Sequence, residues 1–332
     1  MVDQAFERGI EQQHRHFGKQ LQLARTDVYR ATARDTWQDA AVALRSRRHY
    51  LSTMELDLVD VFAGGALSGN PLAVVRGGEM LETAQMLALT RWLGFSETTF
   101  LLPPTAPGAD YAVRIFYPAG ELPFAGHPTL GSAAAWLAAG GVPGQTALVV
   151  QQCTAGLIEV RIAGDMLAFR APPMRNSASL DAAQRAEAIR IAGVDPATVI
   201  AAVHADNGPG WRLLHLSSAQ AVLDARPVGH APVPTDVGLV GAWPKGYARR
   251  FEVRAFFADA SGRLVEDPVT GSLNAAVAQY LLAHGHAAAP GYAAGQGQCI
   301  GADGHIAVAI EDGAVWIGGR TRIVSRGGTL GL

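Results

Sequence analysis

Three places in the 332-residue chain set polar or titratable side chains where chemistry could use them. Two of them match. Gly126-His127-Pro128-Thr129 opens an Ala-rich apolar stretch, Leu130–Ala139, and Asp267-Pro268-Val269-Thr270-Gly271-Ser272 leads into another, Leu273–His284. Each spans 14 residues from glycine to glycine, Gly126 to Gly140 and Gly271 to Gly285. The spacing predicts two helices, hydrophobic nearly all round and therefore buried. The first turn of a buried helix leaves unpaired N–H groups and a partial positive charge, which suit a carboxylate. If both starts face one cleft, the amides at Gly126-His127 and Gly271-Ser272 hold a substrate carboxylate, with His127 and Ser272 assisting. Ordinary helix capping is the alternative reading.

Glu97 is the third place, within Gly94-Phe95-Ser96-Glu97-Thr98-Thr99-Phe100-Leu101. As part of a strand it shares a face with Phe95, Thr99 and Leu101, so its carboxyl group points among apolar neighbours. Burial would raise its pKa towards the range useful for proton transfer. A position on an edge or turn would leave it an ordinary carboxylate, and the pattern alone does not choose. Asp267, before a proline at a turn, reads as structural by default, and Glu266 beside it is expected to be solvated.

Other chemistries are poorly supported. Cys153 and Cys299 are the only cysteines, sit away from the helix starts, and are expected to be unreactive packing residues. The ten histidines show no metal-ligand spacing. There is no Gly-rich nucleotide fingerprint and no nucleophile elbow, so neither metal nor cofactor is expected. With 27 Lys plus Arg against 29 Asp plus Glu, the net charge of −2 offers no attraction to nucleic acid or an anionic membrane. No apolar run is long enough to span a bilayer and no secretory signal opens the chain, so a soluble cytoplasmic protein is expected.

The length suggests two domains. Residues 1–53 stand apart: they hold 9 basic and 6 acidic residues, no proline and only scattered apolar positions. They read as an N-terminal extension, helical or disordered, with Met54 an alternative start. Strand-like sequence begins after Met54, with Leu56, Leu58, Val59, Val61 and Phe62. Tyr111–Tyr117 and Phe251–Phe257 are further strands, one ahead of each predicted helix. The duplicated pattern implies two similar domains, each a sheet wrapped around a buried helix.

At this point a family resemblance becomes specific. Val59-Asp60-Val61-Phe62 with Ser68-Gly69-Asn70-Pro71-Leu72-Ala73-Val74-Val75 resembles the opening of the PhzF-like phenazine biosynthesis family. Phe95-Ser96-Glu97-Thr98 is similar to its Ser-Glu-Thr motif, and Glu121 through Leu130 to its Gly-His helix start. Glu266 through Ser272 is similar to its second helix start, and Asn207-Gly208-Pro209 to a shorter element between. The resemblance covers residues 54–332. It implies an α+β, diaminopimelate-epimerase-like fold of two similar domains, each a mixed β-barrel-like sheet around a central helix. One domain would be 54–171 plus 320–332, the other 172–319. In the related two-thiol racemases, cysteines precede the two glycines; Ala125 and Thr270 stand there in this chain, which excludes thiol racemisation. The resemblance then implies an isomerase without a cofactor, in which Glu97 shuttles a proton and His127, Asp267 and Ser272 surround the substrate. The substrate class would be a small carboxylic acid like trans-2,3-dihydro-3-hydroxyanthranilate, and the assembly a homodimer. Epimerisation or isomerisation of another amino- or hydroxy-acid, and silent binding of a small acid, are the competing readings.

Overall fold

The computed structural model describes residues 54–331. The expectations for residues 1–53 lie outside it. The chain opens with β1 (Met54–Val61), β2 (Asn70–Arg76), helix α1 (Thr83–Leu93), β3 (Thr98–Leu102), β4 (Tyr111–Tyr117) and the short β5 (Gly120–Leu122). Helix α2 (Gly126–Ala138), β6 (Leu148–Cys153), β7 (Gly156–Ala163) and β8 (Met166–Arg170) follow. Next come α3 (Ala182–Ala192), β9 (Val199–Ala205), β10 (Trp211–Leu216), α4 (Ala219–Asp224), β11 (Asp236–Ala242), β12 (Phe251–Ala258) and β13 (Leu264–Asp267). Helix α5 (Gly271–Ala283), β14 (Gly291–Gln296), β15 (Gly304–Glu311) and the long β16 (Ala314–Leu330) complete it.

The strands form one mixed sheet, in the order β1-β2-β3-β4-β6-β7-β8-β16, and β16 pairs back to β1 to close an eight-stranded barrel. Helix α2 fills it and touches most of its staves. Strand β4 shows why: Tyr111, Val113 and Ile115 alternate inward to the core around α2. Phe116 turns outward, edge-on to Phe100, in a second cluster with Met86 and Leu89 of α1. Gly131 lets α2 approach β2, since a Cβ there would lie 2.4 Å from Leu72 Cδ2. Two polar side chains that α2 carries into the barrel are paired: Ser132 donates to Thr99, and Gln151 links Thr129 to the Tyr111 hydroxyl.

From β16 the sheet continues through β15-β14-β12-β11-β10-β9. Helix α5 touches β16 and β9, the two margins of that run, so the sheet curls around it. Strand β16 is shared. Residues 314–320 pair with β15 and β8, and 321–330 with β1, so the boundary drawn at 319/320 falls inside one strand. The expected architecture, α+β with two buried central helices sheathed by mixed strands, is the one observed. The helices begin at Gly126 and Gly271 as the spacing indicates. No described helix is long and apolar enough to cross a membrane.

Candidate active site

Helices α2 and α5 meet start to start. A Cβ on Gly126 would lie 2.8 Å from Gly271 Cα, and one on Gly271 would lie 2.7 Å from Gly126 Cα and 3.1 Å from the His127 nitrogen. Only glycine permits this approach. It sets two positive helix ends side by side, an arrangement that electrostatics disfavours unless negative charge lies between them.

A carboxyl group lies on each side. Glu97 sits one residue ahead of β3 and keeps the phase of Thr99 and Leu101, which face α2. Phe95 is not in the strand as expected: it lies in the turn after α1 and lines a surface pocket with Leu58 and Leu72. Glu97 Oε2 is 3.4 Å from His127 Nε2, and both atoms are buried without a hydrogen-bond partner. Asp267 ends β13 and accepts from Asn70 Nδ2 at 2.9 Å and from Thr270 Oγ1 at 2.5 Å. Asn70 also donates to the Val269 carbonyl at 2.9 Å, so one residue of β2 clips the barrel to the start of α5.

Burial pushes the Glu97 carboxyl up to about 8, helped by the nearby Asp267 charge and opposed by the Ser96 hydroxyl. Burial also raises Asp267, and Thr270 and Asn70 pull it back down. His127 is lowered to about 3 by burial, so it stays neutral at working pH. Its Nδ1 lies 3.4 Å from the Asn70 amide nitrogen, a donor, which assigns the ring proton to Nε2. The imidazole therefore offers an N–H into the site rather than a charge. Two buried carboxyl groups with raised pKa values, a neutral imidazole and two helix N-termini are the parts that a proton transfer would need.

Ser272 reaches the site held by the second half: the Trp211 indole donates to its Oγ at 3.1 Å, and Asn207 donates to its carbonyl at 2.8 Å. All six residues singled out in the sequence, Glu97, His127, Asp267, Gly126, Gly271 and Ser272, gather at this junction. Asn70, Gln296 and Trp211 belong to it as well and were not assigned a role. Asn70 sat inside a quoted motif, but nothing local marks an asparagine that opens a strand as a clip. Glu266 corrects an expectation: its side chain is 8% exposed and accepts from Nε and Nη2 of Arg254, because the pairing of β12 with β13 sets it beside that arginine, whose Nη1 donates to the Val222 carbonyl of α4. Cys153 and Cys299 take no part, but Cys299 is exposed rather than packed. Among the described residues no group of His, Cys, Asp or Glu is placed to hold a metal ion.

Comparison with known proteins adds an independent line. The model of the phenazine biosynthesis-like protein (PhzC-PhzF) family matches residues 59–327. The chain is 34% identical over 181 residues to antisense-enhancing sequence 1 of Schizosaccharomyces pombe, covering 51% of this chain and 60% of that protein. It is 34% identical over 229 residues to a trans-2,3-dihydro-3-hydroxyanthranilate isomerase of Pseudomonas fluorescens, covering 69% of this chain and 80% of the relative. A Pseudomonas aeruginosa structure described as a predicted epimerase superposes with a TM-score of 0.68 at 30% identity, over 84% of this chain and 100% of that one.

Proposed function

Since the chain belongs to the phenazine biosynthesis-like protein family and stands among isomerases, we propose that it is a cofactor-independent isomerase in which Glu97 carries a proton between two carbons of a small carboxylic acid. The observation that carries this reading is the unpaired Glu97 Oε2 beside the His127 N–H, at the junction of two helix starts. The amides of Gly126-His127 and Gly271-Ser272 take the substrate carboxylate, and the Ser272 hydroxyl, already accepting from Trp211, is free to donate to it.

Glu97 holds its own proton in the empty site. A substrate amine or hydroxyl placed on Asp267 offsets that residue's charge, and an ammonium group cancels it. Either lowers the Glu97 pKa, so that its proton leaves to solvent as substrate is seated and the carboxylate is exposed as the base. Glu97 then takes a proton from an acidic C–H while the electron pair moves into the conjugated system. The His127 N–H steadies the charge that develops, and Glu97, whose acid proton exchanges with solvent in the interval, returns a proton to a second carbon. Bonds and protons balance without oxidant or reductant. The name of the Pseudomonas fluorescens relative supplies the first substrate to try, trans-2,3-dihydro-3-hydroxyanthranilate.

The test is turnover of that compound in heavy water by the full chain, followed by a panel of small amino- and hydroxy-acids. Deuterium incorporated at a substrate carbon is the expected result. Glu97→Gln keeps size but cannot carry a proton, and should cut turnover by about 10²–10⁴-fold while retaining affinity. A Gln variant that exchanges as fast as the parent would pass the role to Asp267. Binding without exchange across the whole panel would leave a silent acid-binding protein.

A further inference from the structure

We infer that Gln296, acting through the Thr270 hydroxyl, keeps the negative charge on Asp267 and so leaves the proton of the acidic pair on Glu97. Gln296 is a positioning residue in this scheme, and the inference rests on the acid–base role proposed for Glu97.

Gln296 ends β14, fully buried, and every polar group of its amide is used. Its Nε2 donates to the Asp267 carbonyl at 3.0 Å and to Thr270 Oγ1 at 2.9 Å. Its Oε1 accepts from the Thr270 backbone N–H at 3.1 Å and from Asn274 Nδ2 at 2.8 Å. The amide cannot flip, because its NH₂ would then face two N–H donors. Thr270 Oγ1 therefore receives a hydrogen bond from Gln296, and its single proton can go only to Asp267 Oδ2, at 2.5 Å. Asn70 occupies Oδ1. Both oxygens of Asp267 are thus supplied with donors, the arrangement that stabilises a carboxylate. Protonating Oδ2 would require the Thr270 hydroxyl to turn away, against the Gln296 N–H.

Glu97 lacks such support, since its Oε2 has no partner and Ser96 is the one side-chain donor that helps it. The groups acting on the pair are Asn70, Thr270 and the like charge of Glu266 at Asp267, and Ser96, neutral His127 and Asp267 itself at Glu97. None is a cation, and Asp267 holds the larger share of the hydrogen-bond donors. The position before Gly271 is then not idle in the absence of a thiol; its hydroxyl fixes the neighbouring charge.

The test compares Thr270→Val, Thr270→Ser and Gln296→Met in the full chain. The carboxyl groups of Glu97 and Asp267 are followed against pH by carbon-13 NMR, which needs no substrate. Thr270→Val should move the Asp267 titration up and that of Glu97 down, each by about one pH unit, the scale of one lost charge-assisted hydrogen bond. Gln296→Met should shift both in the same sense, and Thr270→Ser, which keeps the hydroxyl, should restore the parent values. Titrations unmoved in a folded Thr270→Val protein would overturn the inference, and that isosteric variant decides the matter if Gln296→Met does not fold. Shifted titrations without turnover of trans-2,3-dihydro-3-hydroxyanthranilate would sustain the relay and count against the substrate alone. Turnover with unmoved titrations would do the reverse.

Discussion

Helix α2 begins by packing and helix α5 begins by hydrogen bonding, although the two starts touch. Ala125, the residue before α2, has no side chain to cap with, and Gly126 lies against the Phe169 ring. His127, Pro128 and Thr129 are buried behind it; His127 meets only the Asn70 amide, at 3.4 Å, and the shorter side-chain hydrogen bonds of the helix come at Thr129 and Ser132. At α5, Thr270, Asn274 and Gln296 form one buried hydrogen-bonded unit with Asp267, and Asn207 and Trp211 hold Ser272 from the other side. On the proposed reading the difference separates two tasks. A proton can join or leave only where hydrogen-bonding capacity is unfilled, which is the Glu97–His127 side. A fixed charge needs its capacity filled, which is the Asp267 side.

The largest effects should come from the glycines that bring the two regions together. Gly271→Ala sets a methyl group 2.7 Å from Gly126 Cα, and Gly126→Ala sets one 2.8 Å from Gly271 Cα. The obstacle in both directions is backbone, which no rotamer change relieves. Each substitution should cost about 3 kcal/mol in urea unfolding, at the upper end of overpacking, and should abolish carboxylate binding because the amides are forced apart. Unchanged stability in either variant would mean that the helix starts stand further apart than the contact implies.

Next in size are the two side chains at those starts. His127→Leu removes a buried N–H donor that nothing else replaces and should lower turnover about 10²-fold. Ser272→Ala removes a hydroxyl whose neighbours Trp211 and Asn207 remain in place, and should cost about tenfold, mainly in KM. Because burial holds His127 near 3, the kcat/KM profile should show no limb from this residue above pH 4. A limb near 6 that disappears in His127→Leu would show a charged imidazole and collapse the contrast.

How much of this contrast the sequence contained follows from which signals are local. The two helix starts and the Tyr111–Tyr117 strand rest on period and punctuation, and all were legible. The phase of Glu97 with Thr99 and Leu101 follows from two residues of spacing, but the choice between that inward position and an edge or turn was left open by the pattern. Phe95 was misplaced because the strand starts at Thr98, and strand ends are poorly marked in a sequence. Asn70 and Gln296 escaped notice for a different reason. They stand 197 and 29 residues from Asp267, and only the closed barrel and the curled second sheet bring them to it. Glu266 was misread in the same way, since its partner Arg254 sits across a hairpin.

The smallest effect is on stability, and its sign distinguishes the unfilled side of the site from the filled one. Glu97 rises from an ordinary 4.5 to about 8 on folding, chiefly by burial, so the folded state prefers the protonated group. Below pH 4.5 both states are protonated and the residue has no adverse effect. As pH rises from there the unfolded chain ionises first, and the native state loses stability until Glu97 itself ionises near 8. The parent should therefore weaken across pH 4.5–8 by an amount that Glu97→Gln does not share. The variant should match the parent near pH 4 and exceed it at pH 7–8 by roughly 1–3 kcal/mol, less than the full shift implies because the side chain keeps some solvent contact. The measurement is urea unfolding of both proteins at a series of pH values. A gap that stays constant with pH would mean that Glu97 titrates normally in the folded protein, and that its unpaired oxygen is not the acidic centre of this site.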